Sequence, residues 1–247
     1  MDTIIIIGPG GIGKGPLDAL LKDDIVKLDP YRLRSNGPRD SSDTLYAHPK
    51  LRNELLTLLE EMGDKYSKIE CSEEKIKWFP KARVLFFTVR KEWQLLMLKG
   101  IEGKIAKAEI YAPVLLSLLK TPEIRCLLGQ LEIILLNPST KSINEMDSWE
   151  NIKEETKNNC IRRKDPEDTV DTVKKRVKSI DEEAPIWKEL FKTEKVTEYC
   201  NWKYPEYLYT ELPKDKSLVE HQKDTLKAAQ KCLIKGNQNF ESFFKSV

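Results

Sequence analysis

A short segment near the start of the sequence combines glycines and one lysine in a pattern suited to phosphate binding. The stretch GPGGIGKG at 8–15 matches the pattern G-x-x-x-x-G-K. Glycines let successive backbone N–H groups turn inward to phosphate oxygens, in conformations that a Cβ would obstruct. Lys14 adds a positive charge within reach of the β- and γ-phosphates of a nucleoside triphosphate. We therefore predict that ATP phosphates bind to Gly8, Pro9, Gly10, Gly11, Ile12, Gly13, Lys14 and Gly15.

The residues that follow Lys14 depart from the usual form of this motif. Gly15 and Pro16 stand where a hydroxyl side chain often coordinates magnesium. Pro16 itself suits the first turn of a helix, where backbone N–H groups have no intrahelical partner. We expect Mg²⁺ to be held mainly by water and phosphates, with an acidic side chain at a strand end as a further candidate. The alternative consequence is a loss of catalytic activity.

The elements around the loop predict an α/β fold with a doubly wound parallel sheet. The β-branched run at 3–7 enters the loop directly and fits a central parallel strand that is covered on both faces. Short apolar runs predict further strands, and leucine spacing predicts helices between them. The predicted strands lie at 25–28, 83–89, 104–110 and 131–136, and the predicted helices at 51–62, 92–98 and 113–120.

The composition changes after Pro138. The segment 142–183 is highly charged and has few large apolar residues, which predicts helices with little core to bury. In a phosphate-binding fold such a segment is either a mobile lid that carries arginines or a solvated helical arm. An aromatic cluster follows, and we expect it to pack against the core. Its members are Tyr199, Trp202, Tyr204, Tyr207 and Tyr209.

Composition disfavours several other classes of protein. The net charge of +2 provides no uniform basic field for nucleic acid. Five widely spaced cysteines without a C-x-x-C pair argue against a zinc site or disulfide framework and for a reducing compartment. The N-terminal isoleucine run is too short for a membrane span. We expect a cytoplasmic monomer or homodimer with nucleotide substrates and no nucleic-acid or membrane partner.

Three segments resemble guanylate kinases. GPGGIGKGPL at 8–17 resembles the phosphate loop of these and other nucleoside monophosphate kinases. LEIILLNPS at 131–139 is similar to the strand before the family's lid helices, and DTVDTVKKRVKSIDEE at 168–183 resembles its lid-closing helix. The resemblance implies a P-loop fold and ATP-dependent phosphoryl transfer to a GMP-like acceptor, with Mg²⁺. It also implies one domain, with a core at 1–30, 83–140 and 196–235, an acceptor subdomain at 31–82 and a lid at 141–190.

The same resemblance implies roles for individual residues. Arg176 and Arg163, or Arg162 in its place, would stabilise the transferring phosphoryl group together with Lys14, and Glu183 falls at the family's lid glutamate. In the acceptor region the order of residues is comparable although their spacing departs from the family's. Acceptor binding would use Arg34, Arg39, Tyr46 and Glu109, of which Glu109 could alternatively position magnesium.

Two alternatives to a monophosphate kinase follow from the residues. Asp29 comes just after a short predicted strand, where an aspartate could act as the base for a hydroxyl acceptor, or simply form an Asp-Pro turn. A non-catalytic, guanylate-kinase-like binding module is the third class, since Pro16 removes the loop hydroxyl. The retained Lys14 and loop glycines count against that third class.

Two substitutions separate the enzyme classes. Asp29→Asn should abolish turnover of a hydroxyl kinase but spare a monophosphate kinase, because a phosphate acceptor is already ionised and needs no base. Arg39→Ala should do the reverse, because it removes a bidentate phosphate contact. Phosphoryl-transfer assays with monophosphate and hydroxyl acceptors measure both. If neither change nor Lys14→Ala alters turnover of any acceptor, both enzyme hypotheses fail.

Overall fold

The chain forms a mixed α/β fold built on two sheets. This computed structural model describes residues 2–14, 25–28, 31–32, 67–71, 74–79, 84–89, 92–97, 105–145, 148–163 and 168–202. In chain order its strands are β1 Asp2–Ile7, β2 Ile25–Leu28, β3 Tyr31–Arg32, β4 Ser67–Cys71, β5 Glu74–Phe79, β6 Val84–Val89, β7 Glu92–Met97, β8 Ile105–Glu109, β9 Leu131–Leu136 and β10 Val196–Tyr199. Its helices are α1 Ala112–Leu119, α2 Pro122–Leu128, α3 Ser148–Arg163 and α4 Val170–Thr193.

The first sheet is parallel throughout and places the glycine-rich loop at its centre. Its strand order is β2-β8-β1-β9-β10, so β1 lies in the middle and pairs with both β8 and β9. The loop that follows β1 therefore emerges between two neighbouring strands at the carboxyl edge of the sheet. Open α/β sheets bind their ligands at this edge. The predicted strands at 25–28, 104–110 and 131–136 are confirmed as β2, β8 and β9.

Both faces of this sheet are buried. Ile5 and Ile7 of β1 join a core cluster with residues of α1, α2 and α4. Ile4 and Ile6 point to the opposite face, because side chains alternate along a strand, and they are also buried. This burial explains why β1 is apolar without alternation and confirms the prediction of a strand covered on both faces.

Helix α4 joins the charged segment to the core. Its N-cap is Thr169, whose hydroxyl oxygen accepts a hydrogen bond from the backbone N–H of Thr172. Ile180 and Trp187 of this helix are completely buried, whereas Val170 at its start is 71% exposed. Helices lie within 142–183 as expected, at Ser148–Arg163 and from Val170 onward, but the segment contributes more to the core than its composition indicates. Helix α4 is therefore anchored in the core from Ile180 onward, and Arg176, one turn earlier, lies against the loop.

The second sheet is antiparallel and corrects two predictions. Its strand order is β3-β7-β6-β5-β4. The helix predicted at 92–98 is wrong, because Glu92–Met97 is strand β7, paired antiparallel with β6. Leucines at this spacing over so short a run fit a helix or a strand equally well, and pairing with β6 favours the strand. The strand at 83–89 is present as β6, but it lies in this second sheet and not beside β1.

Two findings concern the helices. The predicted helix at 113–120 is confirmed as α1, and the one predicted at 51–62 lies outside the described residues. Among the helices of the described ranges, none has the length and apolar character to cross a bilayer.

Candidate phosphate-binding site

Three glycines give the loop after β1 its shape. Gly8, Gly11 and Gly13 have φ angles of 137°, 86° and 89°, a region that residues with a Cβ rarely adopt. Gly8 is also confined by its neighbour strand, because a Cβ built there would lie 2.6 Å from the carbonyl oxygen of Leu136 in β9. The turn at the end of β1 therefore requires glycine both for conformation and for space.

Lys14 folds back across the loop. Its Nζ donates hydrogen bonds of 2.7 Å to the carbonyl oxygens of Gly8 and Pro9. Burial lowers the pKa of the Lys14 ammonium, while the carboxylates of Glu109 and Glu183 act in the opposite direction. The loop thus holds a cation close to its own backbone, at the carboxyl edge of the parallel sheet.

Arg176 of α4 lies directly against the loop glycines. A Cβ on Gly11 would be 2.9 Å from its Nη1, and a Cβ on Gly10 would be 3.3 Å from its Cγ. The guanidinium donates hydrogen bonds to the carboxylate of Asp168 and, at 3.6 Å, to Sγ of Cys160. Because Gly11 has no Cβ, the guanidinium of Arg176 can approach the loop closely. The structure therefore brings Arg176 and the glycine-rich loop together.

Trp202, which is 190 residues from Ile12 in sequence, is hydrogen-bonded to the loop. Its indole Nε1 donates a 2.8 Å hydrogen bond to the carbonyl oxygen of Ile12, and the side chain is buried. The backbone around it is tied to the segment after β9, since Trp202 N–H donates to Asn137 and Asn201 N–H donates to Ser139. Trp202 is buried, as expected for the aromatic cluster, and its bond to the loop was not predicted; Tyr204, Tyr207 and Tyr209 of that cluster lie outside the described residues. The sequence carries no local signal for this bond, because Ile12 and Trp202 are 190 residues apart.

A carboxylate on β10 anchors the segment that leads into helices α3 and α4, which together form the α3–α4 hairpin. Glu198 accepts hydrogen bonds from Asn137 Nδ2 at 2.6 Å, Ser142 Oγ at 2.6 Å and the backbone N–H of Ile143 at 2.9 Å. Burial, followed by the negative charge of Glu198, raises the pKa of Cys200 to about 11. Cys200 is therefore a protonated thiol at neutral pH and a poor nucleophile. This cluster positions the hairpin and does not form a reactive centre.

A fully buried lysine lies on β8, beside strand β1. Lys107 of β8 is 1% exposed and forms a 2.9 Å ion pair with Glu109 Oε1. Both residues share a sheet face with Ile4 and Ile6, to which they are paired in register. Lys107 and Glu109 also contribute to the electrostatic field at Lys14. Glu109 was a predicted site residue, whereas Lys107 was not, because a lysine inside an apolar strand carries no recognisable motif.

Of the remaining residues implied by the resemblance, some lie within the described ranges and others lie outside them. Glu183 is buried and within electrostatic reach of Lys14. Arg163 is the last residue of α3, and the neighbouring Arg162 forms a 2.9 Å ion pair with Glu155 on the same helix. Several predicted residues lie outside the described ranges, so their roles stay predictions. They are Gly15, Asp29, Arg34, Arg39 and Tyr46.

Comparisons with known proteins find similar solved structures but no related sequence family. No protein-family model matches the chain, and no curated protein matches it. The crystal structure of guanylate kinase from Anaplasma phagocytophilum is similar at 12% identity, with a TM-score of 0.40, over 98% of this chain and 95% of that one. At this level of similarity the neighbour does not define the family or activity of this chain.

The geometry of the loop predicts different costs for two glycine substitutions. Gly8→Ala forces a Cβ onto a backbone carbonyl at positive φ, which should lower the free energy of unfolding by roughly 2–5 kcal/mol. Gly10→Ala meets only the flexible side chain of Arg176, so its unfolding free energy should stay within about 1 kcal/mol of wild type. Urea unfolding of the full chain measures both. Equal losses in the two variants would contradict the loop conformation.

Proposed function

We propose that this chain is a nucleotide kinase-like enzyme that transfers the γ-phosphoryl group of ATP to a nucleoside monophosphate or a similar phosphorylated metabolite. The observation that carries the proposal is the loop at 8–14. This loop follows the central strand of a parallel sheet, and three of its glycines have positive φ. It ends at Lys14, and Arg176 of helix α4 lies against Gly10 and Gly11. Each part matches what binding of a polyphosphate requires.

Donor binding would use the loop and Lys14. In the structure the Lys14 ammonium is satisfied by two loop carbonyls, and phosphate oxygens are stronger acceptors because they are charged. A triphosphate would therefore draw Lys14 away from Gly8 and Pro9. It would also favour the protonated lysine, which counteracts the lowering of the pKa by burial.

Transfer would depend on cations that surround the phosphoryl group. Phosphoryl transfer needs in-line positioning and electrostatic stabilisation more than covalent participation by the protein. Arg176 is placed for this role because it already lies against Gly10 and Gly11. It would exchange Asp168 for the transferring phosphoryl oxygens. Arg163 is the further candidate, since it ends α3 of the same hairpin.

The acceptor is proposed from the sequence resemblance. Arg34, Arg39 and Tyr46 would hold its phosphate, because an arginine fork grips phosphate through two hydrogen bonds. A GMP-like monophosphate is the first acceptor to examine. In this proposal residues 31–82 contribute an acceptor subdomain and the α3–α4 hairpin acts as a lid.

Magnesium would have few protein ligands in this proposal. Within them, no group of three or more His, Cys, Asp or Glu side chains is arranged to hold a metal. Glu109 is paired with Lys107, and position 16 is proline where a hydroxyl would be needed. Mg²⁺ would therefore arrive with ATP and be held by phosphates and water.

The proposal predicts that ATP binding depends on Lys14. Calorimetric titration of the full chain with ATP should show binding, and Lys14→Ala should weaken it by about 100-fold or more, because one charge-assisted contact to phosphate is lost. Lys195→Ala is the matched control, since Lys195 forms an exposed ion pair with Glu132 at the opposite end of the strands. This control should bind ATP like wild type.

Transfer is then tested with GMP and other monophosphates as acceptors. Formation of ADP and a diphosphate that requires both substrates supports the kinase assignment. ATP binding by the wild type that Lys14→Ala leaves unchanged would contradict the loop assignment. Binding without transfer to any acceptor would instead favour the non-catalytic module, and no ATP binding at all would contradict the proposal.

A further inference from the structure

We propose that Trp202 is a positioning residue for the loop at 8–14. Its indole holds the peptide between Ile12 and Gly13 in the orientation that directs the N–H of Gly13 to a bound phosphate. The inference rests on the proposed function, because it assumes that a polyphosphate occupies this loop. It gives a residue just after β10 a part in ligand binding, although the indole itself does not touch the ligand.

One hydrogen bond determines the direction of both polar groups of this peptide. The Nε1 of Trp202 donates to the carbonyl oxygen of Ile12 at 2.8 Å. No peptide bond of the described residues is cis, and in a planar trans peptide the C=O and N–H groups point in opposite directions. The N–H of Gly13 therefore points away from Trp202. Phosphate loops bind their ligand through backbone N–H groups that are aimed in a fixed direction.

Gly13 makes this orientation easy to lose. Its φ is 89°, and glycine adopts positive and negative φ about equally readily. Rotation of the peptide between Ile12 and Gly13 would bring the carbonyl oxygen of Ile12 to the side where the N–H of Gly13 now lies, and an oxygen there would repel a phosphate. Gly13 alone does not select between the two orientations. The hydrogen bond from Trp202 selects one of them.

Trp202 is itself held in place. Its side chain is 1% exposed. Its backbone N–H donates a 2.9 Å hydrogen bond to the carbonyl oxygen of Asn137, and the N–H of Asn201 donates one of 2.7 Å to the carbonyl oxygen of Ser139. Asn137 and Ser139 are buried and follow β9, the strand that pairs with β1. The indole is therefore fixed relative to the parallel sheet, as a donor that orients a glycine-rich loop needs to be.

Trp187 provides a matched control. It is completely buried, like Trp202, but its Nε1 has no hydrogen-bond partner within the part of the chain that the structure describes. Trp202→Phe and Trp187→Phe remove similar volumes from the interior, and only Trp202→Phe removes a bond to the loop. Thermal unfolding of both variants compares the cost in packing.

The experiment is calorimetric titration of the full chain with ATP and with inorganic triphosphate. Trp202→Phe should weaken binding of both ligands by about 3- to 10-fold, the scale of one hydrogen bond, because the binding-competent loop is less populated. Trp187→Phe should stay within about twofold of wild type for both. Triphosphate has no base or sugar that an aromatic ring could contact, so an equal effect on the two ligands indicates action through the loop.

Two further measurements keep the test decisive if Trp202→Phe fails to fold. Benzothienylalanine at position 202 keeps the shape of the indole and replaces its N–H by sulfur, and it should weaken both ligands as Trp202→Phe does. In wild type labelled with ¹⁵N at the indole nitrogens, triphosphate should shift the Nε1–H resonance of Trp202, because a phosphate on Gly13 polarises the same peptide. The resonance of Trp187 should stay unchanged.

Different outcomes overturn different claims. Binding of both ligands that is equal in the Trp202 and Trp187 variants overturns the positioning role and leaves the proposed function intact. Weaker binding of ATP with unchanged binding of triphosphate indicates that Trp202 contacts the nucleoside, which also overturns that role. A Trp202 indole resonance that stays unshifted at saturating triphosphate has the same meaning. If the wild type binds neither ligand, the inference and the proposed function fail together.

Discussion

The loop at 8–14 is closely confined by residues from three distant parts of the chain. Its first glycine is pressed against the carbonyl of Leu136, its middle glycines against Arg176, and its Ile12 carbonyl is held by Trp202. These contacts come from β9, α4 and the segment after β10. The parallel sheet brings all three to one edge because the loop strand lies at its centre. The fold thus assembles the site from segments that are up to 190 residues apart.

The positive charges near the loop each have a partner within the protein. A closely packed loop excludes water, so each charge near it needs a partner within the protein. Lys14 uses loop carbonyls, Lys107 uses Glu109, and Arg176 uses Asp168. Each of these cations is therefore held in place before a ligand arrives. An anion bound by Lys14 or Arg176 would replace the partner that each cation has within the protein.

The sequence predicted the parts of this arrangement that depend on local pattern. The loop, the buried strand before it and α1 were evident from glycines, β-branched residues and leucine spacing. The strand β7 was missed because its leucines fit a helix equally well and only pairing with β6 decides between them. Trp202 was missed as a site residue because its role arises from a hydrogen bond between distant segments. Such contacts are set by tertiary structure and leave no signal at a fixed spacing.

A crystal structure of the full chain with ATP would show whether the loop at 8–14 is a phosphate site. We expect the β- and γ-phosphates to lie against the loop amides, with Lys14 Nζ turned from the carbonyls of Gly8 and Pro9 to phosphate oxygens. Phosphates bound elsewhere, with Lys14 still donating to both carbonyls at 2.7 Å, would contradict this expectation.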